Sequence, residues 1–511
     1  MQLFDYLEFN AATYPNKVAL RINEREWSYS QVLKLANKFL NRFGGRFQAG
    51  DRVAIWFNNS INWYVTFLCL HKLEVVAAPI NTRLTSAEVA QILQDLGASG
   101  IITVKGYRNR NYLEEARELC NEIGDGVALI DASDDISPEG WPEETFGLRR
   151  GAANVHDLSG VLCIQYTSGT TSLPKGAMLG AAQYLQTAAH VAGAQSITPN
   201  TSFISAAPFF HCSGTMHAIT VCQIMGCTLN SIDVWDPELF LWMTDKYQCD
   251  TSHMIYFRDV LALNSQNARH QLRSLHVSHE LGTYDFLRRV YEELDIPGLS
   301  NIYGMTETCG QFAMWYADDD LEARLSGNGR AQPGNYLRIA DSQSGEPLPF
   351  GDLGEIQMRG RTLFKGYFNR PEANREAWTE DGWFKSGDLG RISPDGQLQY
   401  LTRGKDIIRV GGENFAPAEV EQAIRDVTSF TQVCVLAVSD ERLDEIPVAI
   451  VSGPSSVARD EMVTSLKKRL ASFKIPREFY RVESMPITAT NRIQKNVLKS
   501  WISEARLEKM V

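Results

Sequence analysis

The sequence predicts an α/β protein: two successive α/β halves, a β-rich stretch after them, and a small α+β domain at the C-terminal end. Three observations carry that reading. Short apolar runs alternate with helical patterns up to residue 306; Gly/Pro/Asp turns break up residues 328–400; helix and strand patterns return after residue 406. Strands separated by helices imply parallel sheets built from βαβ units.

In the first half, residues 51–57, 75–81, 100–104 and 127–130 read as short buried strands. Helical patterns fill the gaps, as at 86–96, where Thr85 and Glu88 have capping-box spacing. A second βαβ series is expected from Val161 to Thr306, with strands at 161–166, 202–207, 228–232, 251–255, 275–278 and 300–302. The turns Gly345-Glu346-Pro347 and Pro394-Asp395-Gly396 mark the β-rich stretch. Helices at 418–426 and 465–471 and strands at 432–438 and 446–451 make up the last domain. A chain of 511 residues exceeds one ordinary core, so more than one domain is expected.

Composition narrows the function. A net charge of −11 opposes generic nucleic-acid binding, which needs a basic face. No apolar run reaches the roughly 18–20 residues of a membrane span; the best candidate, from Trp63 to Ile80, is interrupted by His71, Lys72 and Glu74. No basic, then apolar, N-terminal leader is seen, and the nine cysteines form no Cys-x-x-Cys pair, so a reducing cytoplasm is expected. Cys222 and Cys227 with His211 and His217 do not fit the spacing of a standard zinc site.

The most informative segment runs from Tyr166 to Gly176. After the apolar run 161–166 comes a loop of small and hydroxyl residues, Thr167, Ser168, Gly169, Thr170, Thr171 and Ser172, closed by Pro174 and Lys175. Glycine lets backbone N–H groups turn toward an anion, hydroxyls add donors, and the lysine supplies a compact charge for a polyphosphate. Pro174 excludes a Walker A motif. A second segment, Asn301-Ile302-Tyr303-Gly304-Met305-Thr306-Glu307, also follows a strand, with a flat aromatic face in Tyr303 and a hard oxygen ligand in Glu307. A third, Gly387-Asp388, holds a carboxylate next to glycine. A fourth runs from Thr402 to Asn414 through Arg403, Lys405, Gly411 and Gly412, and a fifth is Pro208-Phe209-Phe210-His211.

These segments, in this order, resemble the adenylate-forming superfamily, and within it the AMP-dependent acyl-CoA synthetases. The resemblance covers nearly the whole chain. It implies an N-terminal adenylate-forming domain over 1–402 (two doubly wound α/β halves plus a β subdomain), a hinge at 403–406 and a mobile α+β domain over 407–511. It also implies that Thr167, Ser168, Gly169, Thr170, Thr171 and Lys175 hold the phosphates. Asn301, Tyr303, Gly304, Met305 and Thr306 would contact the nucleotide, with Tyr303 stacked on adenine and Thr306 at the α-phosphate, and Glu307 would bind Mg²⁺. Asp388 would hold the ribose, Arg403 would contact the ribose or a phosphate, Lys405 would be the hinge, and Gly411 and Gly412 would line the path of CoA. His211 would border the acyl pocket.

Three departures stand out. Ser172 takes the place of a glycine. Arg492, preceded by Asn491, takes the place of the lysine that bridges carboxylate and α-phosphate, with Lys495 as an alternative. Ser278-His279-Glu280-Leu281-Gly282 replaces a glycine-rich turn. Either His279 and Glu280 shape a pocket for a small or polar acid, or the loop shifts and both face solvent. The expected reaction is ATP-dependent adenylation of a carboxylic acid with pyrophosphate release, then thioester formation with CoA. Transfer to a carrier-protein thiol or an amine, or activation of an unusual small acid, is the alternative, and a homodimer is left open.

Overall fold

The computed structural model describes residues 2–124, 126–134, 141–146, 158–167, 174–253, 256–264, 272, 274–282, 284–316, 318–406, 408–410, 413–415, 417–440, 444–488 and 493–510. Two compact units emerge: residues 1–336, 359–382 and 396–398 form the first; 337–358, 383–395 and 399–511 form the second.

The first unit contains two seven-stranded, mostly parallel sheets. One orders its strands Glu143–Phe146, Val127–Asp131, Gly100–Thr103, Arg52–Trp56, Val76–Pro79, Val161–Thr167 and Lys175–Gly180. Its edge strands, Glu143–Phe146 and Lys175–Gly180, pair antiparallel with their neighbours. The helix Ser86–Leu96 begins on the expected capping box, Thr85 accepting from the Glu88 amide, and ends on Gly97 in the left-handed conformation. Its apolar face, Val89, Ile92, Leu93 and Leu96, joins the core under the sheet.

The other sheet orders Gly298–Asn301, Val277–Glu280, Thr251–His253, Ser202–Ser205, Thr228–Ser231, Val18–Ile22 and Arg25–Ser28. Two sequence expectations are corrected here. The strand starting at Val161 closes the first sheet, pairing Cys163 with Ala77, and does not open the second. The second sheet instead takes its edge from the N-terminal hairpin, Leu20 lying opposite Leu229. The strand expected at 275–278 is Val277–Glu280, which moves His279 and Glu280 into the sheet.

The apolar run from Trp63 divides into the helix Ile61–Lys72 and the strand Val76–Pro79. The helix is covered on all sides: Trp63 packs on Phe209, and Tyr64 donates to Gln223. A helix apolar all round belongs in a core, and among the described residues no helix is long and apolar enough to cross a membrane.

The β-rich stretch, most of it in the second unit, is a four-stranded sheet of Asn335–Ala340, Gly354–Gly360, Phe384–Ile392 and Leu398–Arg403. The C-terminal domain builds on the antiparallel pair Gln432–Asp440 and Asp444–Ser452. The helix Pro417–Val427 packs there through Val420, Ala423 and Ile424. The second expected helix lies earlier than expected, at Arg459–Leu466.

Candidate active site

Strands Val161–Thr167 and Lys175–Gly180 pair antiparallel, with Thr167 opposite Lys175. The phosphate-loop candidates Ser168, Gly169, Thr170 and Thr171, with Ser172, therefore span a hairpin mouth but lie outside the described residues, as does the side chain of Thr167. Lys175 itself is fixed in the sheet. Residues 365–368 run along its strand: Met178 N–H donates to Gly366 O at 2.9 Å, Lys365 N–H to Met178 O at 2.9 Å, and Phe368 N–H to Gly176 O at 2.8 Å. Gly366 has φ +117°, a value that requires glycine.

This strap presents Tyr367. Asn374 holds the tyrosine backbone, accepting from its N–H at 2.6 Å and donating to its O at 2.8 Å. The Tyr367 ring centroid lies 5.2 Å from Lys175 Nζ, a cation–π distance. The Tyr367 phenol donates to Glu307 Oε1 at 2.7 Å. The backbone of Glu307 is anchored too, its carbonyl accepting from Phe364 N–H at 2.7 Å. The structure thus brings together two residues singled out far apart in sequence, through a third that was not singled out.

Glu307 sits in a short 3₁₀ turn, Thr306–Thr308, closed by Met305 N–H donating to Thr308 Oγ1 at 2.9 Å. Asn301 ends its strand and donates to Gly282 O at 2.9 Å. Tyr303 is buried and bridges to Ala313. A Cβ on Gly304 would fall 2.4 Å from Gly310 O and 2.5 Å from Gln311 Cα, so only glycine fits there. Glu307, half-buried with one oxygen held by a neutral donor, suits a magnesium ion that takes its other ligands from phosphate and water. Among the described residues no cluster of three or more His, Cys, Asp or Glu could hold a metal ion, and all nine cysteines are buried thiols outside any disulfide.

In the second unit Arg403 Nε lies 3.1 Å from Asp388 Oδ1, the carboxylate buried and the guanidinium more open. Within the strand Phe384–Ile392, Gly387 precedes Asp388 at φ +70°, and Asp388 N–H donates to Ser386 Oγ at 3.0 Å. Lys405 lies in the 3₁₀ turn Gly404–Asp406, its side chain undescribed. Gly411, Gly412 and Arg492 lie outside the described residues. Lys495 is ion-paired to Asp406 at 2.9 Å. Burial pulls its proton affinity down, but Asp406 and Glu421 outweigh that and hold it above the ordinary lysine value.

On the acyl side, His211 is half-buried, with Nδ1 2.9 Å from Ser213 Oγ, and it precedes the π-helix Ser213–Thr220. Such helices cluster at functional sites. His279 and Glu280 are both buried, so neither faces solvent. Glu280 Oε1 accepts from Leu281 N–H at 2.9 Å. Burial pushes the His279 imidazole down to about 3.

Sequence reasoning missed Tyr367, for which Gly366 just before it was the available signal.

Residues 7–368 match the family described as AMP-binding enzyme, and residues 419–492 match the AMP-binding enzyme C-terminal domain. A 3-[(3aS,4S,7aS)-7a-methyl-1,5-dioxo-octahydro-1H-inden-4-yl]propanoyl:CoA ligase of Rhodococcus jostii is 28% identical, covering 88% of each chain. A medium-chain fatty-acid–CoA ligase of Escherichia coli is 28% identical, covering 98% of this chain and 90% of the relative. Among solved structures, ATP-bound MatB from Rhodopseudomonas palustris superposes with a TM-score of 0.85 at 25% identity, covering 98% of this chain and 99% of that one.

Proposed function

The chain belongs to the AMP-binding enzyme family, and from that premise we propose how its residues carry out the reaction. It is an ATP-dependent, AMP-forming acid–CoA ligase that uses Mg²⁺ and takes CoA as co-substrate.

A carboxylate is a poor acyl donor because its leaving group would be oxide. In the first step a carboxylate oxygen bonds to the α-phosphorus of ATP, the bond to the bridging oxygen breaks, and pyrophosphate leaves. In the second, the CoA thiolate attacks the acyl carbon and AMP leaves, the thiol proton passing to solvent.

Positive charge must meet the phosphate oxygens as the first step proceeds. We assign that to Lys175 and Arg492, with backbone and hydroxyl groups of 167–171 cradling the phosphates and Thr306 at the α-phosphate. Magnesium, when bound, neutralises phosphate oxygens, and Glu307 is the residue to hold it. Asn301, Tyr303, Gly304 and Met305 shape the nucleotide side; Asp388 and Arg403 take the ribose hydroxyls. We propose domains over 1–402 and 407–511 joined by a hinge at 403–406 about Lys405, with Gly411 and Gly412 on the CoA path. His211, His279 and Glu280 face the acid.

The arrangement that carries this reading is the Lys175–Tyr367–Glu307 cluster, in which one tyrosine holds a phosphate-charge lysine and a metal-type carboxylate. CoA is the acceptor we propose, and buried thiols outside any disulfide suit a cytoplasmic setting. The two relatives above are named for unlike acids, a dioxo-indane propanoate and medium-chain fatty acids, so family membership leaves the acid open.

The test is ATP-dependent pyrophosphate release over a panel of acids, with and without CoA. Sustained turnover only with CoA is expected; turnover indifferent to CoA would point to a carrier-protein thiol or an amine. Size-exclusion chromatography with light scattering decides between monomer and homodimer.

A further inference from the structure

Beside the nucleotide-side segment lies a group of buried polar side chains, of which the reading above placed only His279 toward the acid. His217, His253, His279 and Gln311 are each at most 1% exposed. Both ring nitrogens of His217 and of His253, Nδ1 of His279 and both amide atoms of Gln311 have no hydrogen-bond partner. Gln311 acts on His279 as a hydrogen-bonding side chain, raising its proton affinity, but falls short of full hydrogen-bond geometry. An orphaned buried polar group costs about 1–3 kcal/mol, and native folds keep few of them. So many at one spot point to a polar partner held there.

Their position in the fold supports a ligand. His253 and His279 are register partners on adjacent parallel strands, near the C-terminal ends of both. Ligands of open α/β sheets bind beyond those strand ends. The His217 ring is 3.5 Å from that of His253, and the His253 ring is 5.8 Å from that of His279. The group adjoins the segment assigned to the α-phosphate. A Cβ on half-buried Gly310 would stand 3.2 Å from His217 Nε2, and one on Gly304 would stand 2.5 Å from Gln311 Cα. Gly304 and Gly310 thus bring the segment assigned to the α-phosphate against this group.

We infer that the acid carries uncharged oxygen groups, hydroxyl or keto, and that His217, His253, His279 and Gln311 receive them. The inference rests on the ligase reading above and names the substrate class of that site. A neutral imidazole offers one donor and one acceptor, which suits a hydroxyl or a carbonyl. Burial keeps all three rings neutral: it pushes His279 down to about 3 and holds His217 and His253 well below the ordinary histidine value. A second carboxylate on the acid fits poorly. Arg324, the cation acting on His279, donates to the carbonyls of Asp319, Leu299 and Pro297 at 2.9, 2.7 and 3.0 Å. A second carboxylate would also meet the carboxyl of Glu280, next in the strand. A hydrocarbon tail would leave every orphaned nitrogen unpaired.

The test is ATP–pyrophosphate exchange with pairs of acids that share a carbon skeleton, one member bearing a hydroxyl or keto group and the other none. Wild-type enzyme should prefer the oxygenated member by about 10⁴-fold in kcat/KM, the scale on which a hydrogen-bonding pocket rejects an analogue lacking its polar group. His253→Leu and Gln311→Leu should each lower that ratio at least about tenfold; both rates come from one preparation, so partial unfolding cancels. Wild-type exchange with hydrocarbon acids as good as with their oxygenated partners overturns the inference and leaves the ligase reading standing. A ratio unchanged in both variants also overturns it, and assigns the group to structural water. Exchange with no acid at all overturns the ligase reading, and this inference with it.

Discussion

Tyr367 donates a 2.7 Å hydrogen bond to Glu307 Oε1, while its ring centroid lies 5.2 Å from Lys175 Nζ. One side chain therefore sets both the carboxylate assigned to magnesium and the lysine assigned to phosphate. Tyr367→Phe keeps the ring and removes the hydroxyl. It should raise the Mg²⁺ concentration for half-maximal pyrophosphate release about tenfold, the scale of a hydrogen bond to a charged group, with little change in KM for ATP. Tyr367→Leu should raise both. Equal, small effects of the two substitutions would show that the phenol has no positioning role.

Lys175 is held by the strand pairing of Thr167 with Lys175, so its removal should leave the hairpin intact. Lys175→Met should cut kcat for adenylation about 100- to 1,000-fold, as loss of one preorganised transition-state donor does. Unchanged thermal melting beside that loss would separate charge from folding.

Lys495 is engaged with Asp406, in keeping with the proposed assignment of the first-step charge to Arg492. Arg492→Ala should lower pyrophosphate release about 100-fold or more, and Lys495→Ala less than about fivefold. Single-turnover release by each variant checks the order; a reversed order would move the role to Lys495.

His217, His253 and His279 are neutral in the fold and take up protons once unfolded. The folded values lie below the unfolded value near 6.5, so the unfolded state binds more protons as pH falls through that value. Stability is therefore present above about pH 6.5 and is lost on the way down toward about 3 for His279. Each histidine contributes a slope of about 1.4 kcal/mol per pH unit in that window. Urea midpoints at pH 7, 6 and 5 should fall together, and His253→Leu should flatten the fall by about one proton.

The alternation of strand and helix was legible because both faces of a parallel strand are buried, leaving short apolar runs such as 52–56 and 127–131. The helix Ser86–Leu96 was legible to its ends because its cap is written in side chains. Sheet membership was not legible. Nothing local in Val161–Thr167 states that it pairs with Val76–Pro79, or that Val18–Ile22 crosses to the other sheet. Glu307 and Lys175 were legible as residue types in ordered motifs. Tyr367 was not, because its role arises from a strap lying along residues 176–178, a contact made in space. His253 and Gln311 look like ordinary strand and loop residues until the fold places them beside His217 and His279.

The most direct test of the central claim is the product ratio in one reaction holding ATP, Mg²⁺, CoA and a hydroxy or keto acid. AMP, pyrophosphate and acyl-CoA formed in equal amounts, each dependent on the acid, is the predicted result. ADP and phosphate in place of AMP and pyrophosphate, or AMP formed without acyl-CoA while CoA is present, would contradict it.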